Sequence, residues 1–217
     1  MRPRRVALIA TTADADGIAK SQSAAGAQAL TLNGDLIGGD LDIARRITIT
    51  SASNDTGRTF TVAGVDRFNQ EISESLAGAS GAAVMTEACF LRVTSVTTDG
   101  ATAGNVQVGT ADAFDTAWCP LNQYADLFNV TVDVARQAVG GSAADFTYGL
   151  QFTLSDVQAK DFRESDAHAV DHATMTAKTA DDAVNLTMPV TAVRIRVTSY
   201  VAGALVAQIQ QAGGPLS

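Results

Sequence analysis

Between Arg45 and Gly109 aliphatic and polar residues alternate in short runs, broken by Gly, Asn and Asp. Ile47 and Ile49 flank Thr48, and Phe60 and Val62 flank Thr61. This is the period-two pattern of a strand with one buried and one wet face. The spacing predicts strands near 58–65, 69–76 and 82–96, with reversals at 64–69 and 76–81 and a return through Val106 and Val108. So many short antiparallel strands in one segment fit a small sandwich or barrel.

The second half carries the same signal. Phe128, Val130, Val132 and Val134 alternate with polar residues, and Phe146, Tyr148, Leu150, Phe152 and Leu154 form the cleanest alternation in the chain. Those five share one face, which makes Phe152 the leading core candidate. The stretch AVGGSAAD at 138–145 reads as the hairpin loop between the two strands, and closing strands are expected at 190–199 and 203–210. Residues 163–185 are polar and predict a long loop with one short helix.

At the other end, Leu30 and Leu32 lead into Asn33-Gly34, a strong hairpin dipeptide. Ala13–Gln28 lacks large apolar residues and reads as an extended arm or a short helix. The expected division is therefore an N-terminal arm over 1–28, a β-sandwich or barrel module over 29–110, and a second β module over 111–217. The fold class is all-β: an antiparallel β-sandwich, jelly-roll-like, with an extended N-terminal arm. Whether the halves are separate domains or one continuous sandwich stays open at this level. Three segments, Arg46–Ser51, Leu91–Val96 and Arg194–Ser199, share an aliphatic–polar–aliphatic grammar with Thr-Ser, a strand signature rather than a solenoid repeat.

Composition narrows the chemistry. Of 217 residues 46% are hydrophobic but only 6% aromatic, so small aliphatic side chains dominate, which suits thin sandwiches more than a deep aromatic pocket. The net charge of −8 opposes binding to a phosphate backbone, so no specific nucleic-acid partner is expected. The first five residues, MRPRR, run against that sign, and Arg2, Arg4 and Arg5 are the candidate contacts of a mobile arm with an acidic partner surface. The apolar stretch Val6–Ala10 is too short for a signal peptide, and no run reaches the ~20 apolar residues of a membrane helix. No membrane partner is expected. Cys89 and Cys119 lack metal-site spacing and read as buried thiols.

Candidate reactive groups are sparse. His168 and His172, near Asp166 and Asp171, would share a face on a helix, yet the pattern lacks a third ligand and the adjacent Glu of a zinc protease. Asp112, Asp115, Asp181 and Asp182 do not fall into a spaced calcium loop. Neither GxSxG nor a phosphate-binding glycine pattern occurs. No catalytic, cofactor-binding or metal residues are assigned, and the expectation is a protein that is not an enzyme and needs no cofactor. Trp118, Tyr124, Tyr148 and Tyr200 are the aromatics available for stacking on sugars, and they read better as core or strand partners.

The segment TADADGIAKSQSAAGAQALTLNGDLIGGDLDIARRITITSASNDTGRTFTVAGVDRFNQEISESLAG, then FLRVTSVTTDGATAGNVQVG and the closing AVNLTMPVTAVRIRVTSYVAGALVAQIQQAG, resembles structural proteins encoded in tailed-bacteriophage virion modules. The resemblance is densest over 27–109 and 184–213. It implies a virion component with a β-sandwich or jelly-roll-like fold and no catalytic residues. The expected role is a capsid decoration (cement) protein on the capsid surface, partnered by the major capsid protein or other virion proteins and assembled as a homo-oligomer, with a trimer favoured. A head-to-tail connector or tail component, and a glycan-binding adhesive module, are the competing roles.

Overall fold

The computed structural model describes residues 3–125 and 128–212. Seventeen strands and one 3-10 turn are found among them. The first nine are β1 (Arg4–Ile9), β2 (Ala19–Gln22), β3 (Gln28–Ala29), β4 (Ile47–Ser51), β5 (Thr59–Val65), β6 (Glu71–Ala77), β7 (Ala83–Met85), β8 (Arg92–Thr98) and β9 (Val106–Thr110). Then follow β10 (Phe114–Asp115), β11 (Cys119–Pro120), β12 (Val130–Gln137), β13 (Asp145–Thr153), β14 (Val170–Asp171), β15 (Asp182–Leu186), β16 (Ala192–Ala202) and β17 (Ala204–Gln211). The one-turn 3-10 segment covers Glu164–Asp166.

The chain divides into two compact units. One comprises Met1–Thr12 with Asp115–Ser217, and the other, Ala13–Phe114, is inserted between them in sequence. In the inserted unit the sheets are ordered β2-β9-β4-β7 and β3-β8-β5-β6. Lettering its eight strands B to I in chain order gives sheets BIDG and CHEF, the strand order of a jelly roll. The outer unit has sheets β1-β17-β12-β15 and β10-β16-β13-β14, with β11 also paired to β16. Taking β10 and β11 as two halves of one broken strand C gives the same BIDG and CHEF order. The chain is thus two jelly rolls, the second interrupting the first between its strands B and C.

Each roll buries a small-residue core between its sheets. In the inserted unit Ile47, Ile49, Val106 and Val108 of one sheet meet Phe60, Val62 and Val96 of the other in a single cluster, all at 0% exposure. In the outer unit Val130, Val132 and Val134 are fully buried on β12, as are Tyr148 and Leu150 on β13 and Val193 and Val197 on β16. The guanidinium of Arg136 on β12 lies 4.9 Å from the Phe146 ring centre on β13, linking the two sheets.

The arm expected over 1–28 is therefore built differently. Residues 4–9 are paired antiparallel with β17, from Arg4 opposite Ile209 to Ile9 opposite Ala204. Residues 13–28 join the inserted unit, where Ile18, Ala19 and Ala24 reach its core. Large side chains are unnecessary there, because other strands supply the bulk and small ones fill the remaining gaps. The boundaries accordingly fall near 12 and 114, not at 28 and 110. Asn33-Gly34 makes no hairpin: the Gly34 amide donates to the Ile18 carbonyl at 3.0 Å, and a Cβ there would meet Gly17 backbone at 2.1 Å. The segment expected as one strand over 82–96 is two, β7 and β8, in different sheets.

A further difference concerns β12 and β13. Val139 and Ser142 do form a tight turn around Gly140 and Gly141, both at positive φ, as the dipeptide predicts. The strands that flank it nevertheless enter different sheets: β12 pairs with β15 and β17, and β13 with β14 and β16. The turn is a corner between layers. The face alternation of β13 holds for Phe146, Tyr148 and Leu150 but fades at its end, where Phe152 is only half-buried and Leu154 is 65% exposed. There the opposite face is the covered one, with Gln151 at 2% and Thr153 at 0% exposure. Leu150→Ala should therefore cost about 2–5 kcal/mol in chemical denaturation, and Phe152→Ala should cost distinctly less than the 3–5 kcal/mol typical of a buried Phe.

Candidate interaction surface

Four side chains form a polar ladder across the CHEF sheet of the outer unit. Gln151 Nε2 donates to Asp171 Oδ1 at 2.7 Å, and Arg194 Nε donates to Gln151 Oε1 at 2.8 Å. Arg194 then pairs with Asp115 Oδ2 at 3.0 Å. Register explains the alignment, since Gln151 stands opposite both Asp171 and Arg194. Its inner members are dry, with Gln151 and Asp115 buried and the Arg194 guanidinium 4.5 Å from the Trp118 ring centre, while Asp171 at the β14 end is exposed. Every charged member has an opposite charge or a hydrogen bond, which is the condition for keeping such groups out of water. The ladder ties β14, β13, β16 and β10 together side by side.

The reactive candidates of the sequence are dispersed. His168 is exposed after the 3-10 turn, where its backbone amide donates to Ser155 Oγ at 3.2 Å; His172 follows β14, with Nδ1 near Thr174. The segment is not helical, so the four-residue spacing does not create a shared helical face. Among the described residues no cluster of three or more His, Cys, Asp or Glu is placed to hold a metal. Asp115 pairs with Arg194, Asp181 accepts the Arg136 amide, Asp182 pairs with Lys178, and Asp112 is half-buried. Cys89 and Cys119 are buried and not joined in a disulfide. Burial pushes the Cys119 thiol above its ordinary value, partly offset by the nearby Arg4 guanidinium.

Of the four aromatics open to sugar stacking, Trp118, Tyr148 and Tyr200 are buried and Tyr124 is 84% exposed. Tyr200 works as a corner post: its hydroxyl donates to the Gly203 carbonyl at 2.7 Å and accepts the Ala10 amide at 3.3 Å. Gly203, at φ +105°, is the single residue joining β16 to β17 as the chain changes sheets. Three connections of the outer roll meet at Thr191, and Tyr124 lies on one of them, three residues past Leu121. The Leu121 amide donates to the Thr191 carbonyl at 2.8 Å, and the Thr191 amide donates to the Thr153 carbonyl at 3.0 Å. Leu154 and Met188, 65% and 50% exposed, lie on the other two of these connections.

Searches against protein-family models, curated protein sequences and solved structures find no match to this chain. The surface features must be weighed on their own chemistry.

The remaining features are the sheet edges. Open two-layer folds expose unpaired backbone N–H and C=O groups along their outermost strands, and short or covered edges are the usual protection. Here β2, β3, β7, β10, β11 and β14 are edges of two to four residues. The longer edges are β1, β6 and β15. On β15 the Asp182 carboxylate takes the Ala183 amide at 2.9 Å and is held by Lys178 at 2.6 Å, which shields part of that edge. The same Lys178 contact holds the Asp182 carboxyl below its ordinary value. The sequence-assigned contacts Arg4 and Arg5 lie on β1 and are exposed, whereas Arg2 lies outside the described residues. Ile9, at the end of β1, is 60% exposed.

Two measurements test this account of the buried groups. Burial, then the charges of Asp182 and Asp181, push the Tyr148 phenol up to about 12, while its hydroxyl donates to the Ala180 carbonyl at 2.9 Å. The folded state thus holds its proton where the unfolded chain, near its ordinary value of 10, has lost it. The stabilisation is complete below pH ~10 and is lost as pH rises toward ~12, so denaturation midpoints should fall more steeply over that window for wild type than for Tyr148→Phe. Arg194→Met leaves Asp115 buried without its cation and should lower unfolding free energy by about 3–5 kcal/mol, whereas adding Asp115→Asn to it should recover part of the loss.

Proposed function

We propose that this chain is a non-enzymatic structural protein of a tailed-phage virion, a decoration protein that stabilises the shell by bridging capsid subunits. The observation that carries the reading is the repetition of one jelly-roll topology in two units, each with a long edge strand at the surface. Jelly rolls serve widely as capsid and lectin building blocks, because a closed two-layer core leaves edges and loops free for contacts. The resemblance of the sequence to virion proteins points the same way. The net charge of −8 suits the outside of a shell, away from packaged nucleic acid. Bridging of this kind needs rigid surfaces, and two cores of interdigitated aliphatic side chains supply them.

A second reading has one observation in its favour. Tyr124 presents an open ring, 84% exposed, and aromatic rings are the usual platform for sugar faces. In that case the chain is an adhesive module, and a glycan array with wild type and Tyr124→Ala separates the two roles.

The test of the leading reading is the copy number of this chain per purified particle, from quantitative mass spectrometry against the major capsid protein. Decoration requires near-stoichiometric abundance. A few to a dozen copies would move the chain to the connector or tail, and absence from particles would end the virion reading.

A further inference from the structure

The two longest edge strands with no side-chain shield described above differ in charge and belong to different units. β1 spans six residues and carries exposed Arg4 and Arg5 ahead of Val6, Ala7, Leu8 and Ile9. β6 spans seven, Glu-Ile-Ser-Glu-Ser-Leu-Ala, and among the described residues pairs with β5 alone. Glu71, Ser73, Ser75 and Ala77 are exposed along it, with Ile72, Glu74 and Leu76 half-buried between them. Glu74 is committed within its own unit, where its carboxylate takes the amides of Glu87 and Ala88, each at 2.8 Å. Glu71 remains on the rim as the exposed carboxylate.

Charge separates these edges from the rest of the chain. Three of its 15 basic residues stand in the first five positions, and none of its 23 acidic residues does. Two copies of β1 would bring arginines into one interface, whereas β1 against β6 brings arginine to glutamate. The lengths are close, six residues against seven, and among the described residues each strand ends its sheet, with an outer edge that a foreign strand can satisfy.

We propose that β1 of one copy pairs edge to edge and in parallel with β6 of a second copy, N-terminal ends together so that Arg5 lies alongside Glu71, joining the BIDG sheet of one outer roll to the CHEF sheet of the next inserted roll. Because the two surfaces differ, the contact is head-to-tail, and repetition closes a ring or extends a chain. Backbone pairing supplies the adhesion, and the Arg5–Glu71 sign match selects β6 over a second β1. The inference rests on the reading of the chain as an assembling structural protein, but the two can fail separately. High copy number on particles with a free chain that stays monomeric sinks only the edge pairing, and self-association of a chain missing from particles sinks only the virion role.

The experiment is sedimentation velocity on the full chain, from low micromolar to near-millimolar concentration, with wild type, Arg5→Glu and Glu71→Arg. Arg5 is chosen because Arg4 also contacts Cys119. Wild type should self-associate, and each single reversal should weaken association by about tenfold or more. An equimolar mixture of the two variants should restore it, since each then meets an edge of opposite sign. A misfolded variant could not give that rescue. A monomeric wild type, reversals without effect, or a mixture that fails to recover would each overturn the pairing.

Discussion

Face-to-face burial of one sheet on another is the constraint from which the rest of this structure follows. With aromatics at 6% of the chain, the few buried rings, Phe60 and Phe90 in one unit and Phe146 and Tyr148 in the other, cannot fill the cores alone. Each unit instead spreads its burial over Val, Ile, Leu and Ala on two opposed layers. Such a core works only if every strand presents the right face to the right layer. The jelly-roll order meets that demand by sending most consecutive strands to different sheets, β5–β6 and β13–β14 excepted, so most pairings join residues far apart in sequence. Folding of this kind must close long loops before contacts reward it, and is expected to be slow relative to a local topology.

The same constraint shapes the polar chemistry. Where the outer face of β13 and β16 is also covered, Gln151, Asp171, Arg194 and Asp115 satisfy one another laterally across the sheet. Such a network favours one register, since sliding a strand by a residue would leave a charge buried without its partner. Edges present the opposite problem. Most are too short to recruit another strand, one is shielded by its own Asp182 and Lys178, and the two remaining long ones carry opposite charge.

Topology also gives the recurrent Thr-Ser grammar a partial explanation. The copies at 91–96 and 194–199 fall on β8 and β16, which are strand H of their respective rolls, in each case the strand between C and E. The third copy, at 46–51, falls on β4, which is strand D. Equivalent position accounts for two of the three similarities, and general strand patterning for the other.

Sequence by itself determined the class and most of the strands. Alternation at Ile47–Ile49, Phe60–Val62, Val130–Val134 and Phe146–Leu150 reports a local property, one wet face and one dry, that survives in any two-layer fold. Tertiary structure alone decided partners. The turn at Gly140-Gly141 looks like a hairpin locally, but strand pairing depends on backbone hydrogen bonds to remote segments, and these place β12 and β13 in separate layers. Likewise Arg4 to Ile9 reads as a tail until β17 is available to pair with it, and Phe152 reads as core until Gln151 and Thr153, on the opposite face, are seen to be the buried residues at that end. The insertion of one roll within the other was invisible for the same reason: alternation records which face a residue turns inward, not which distant strand lies beside it.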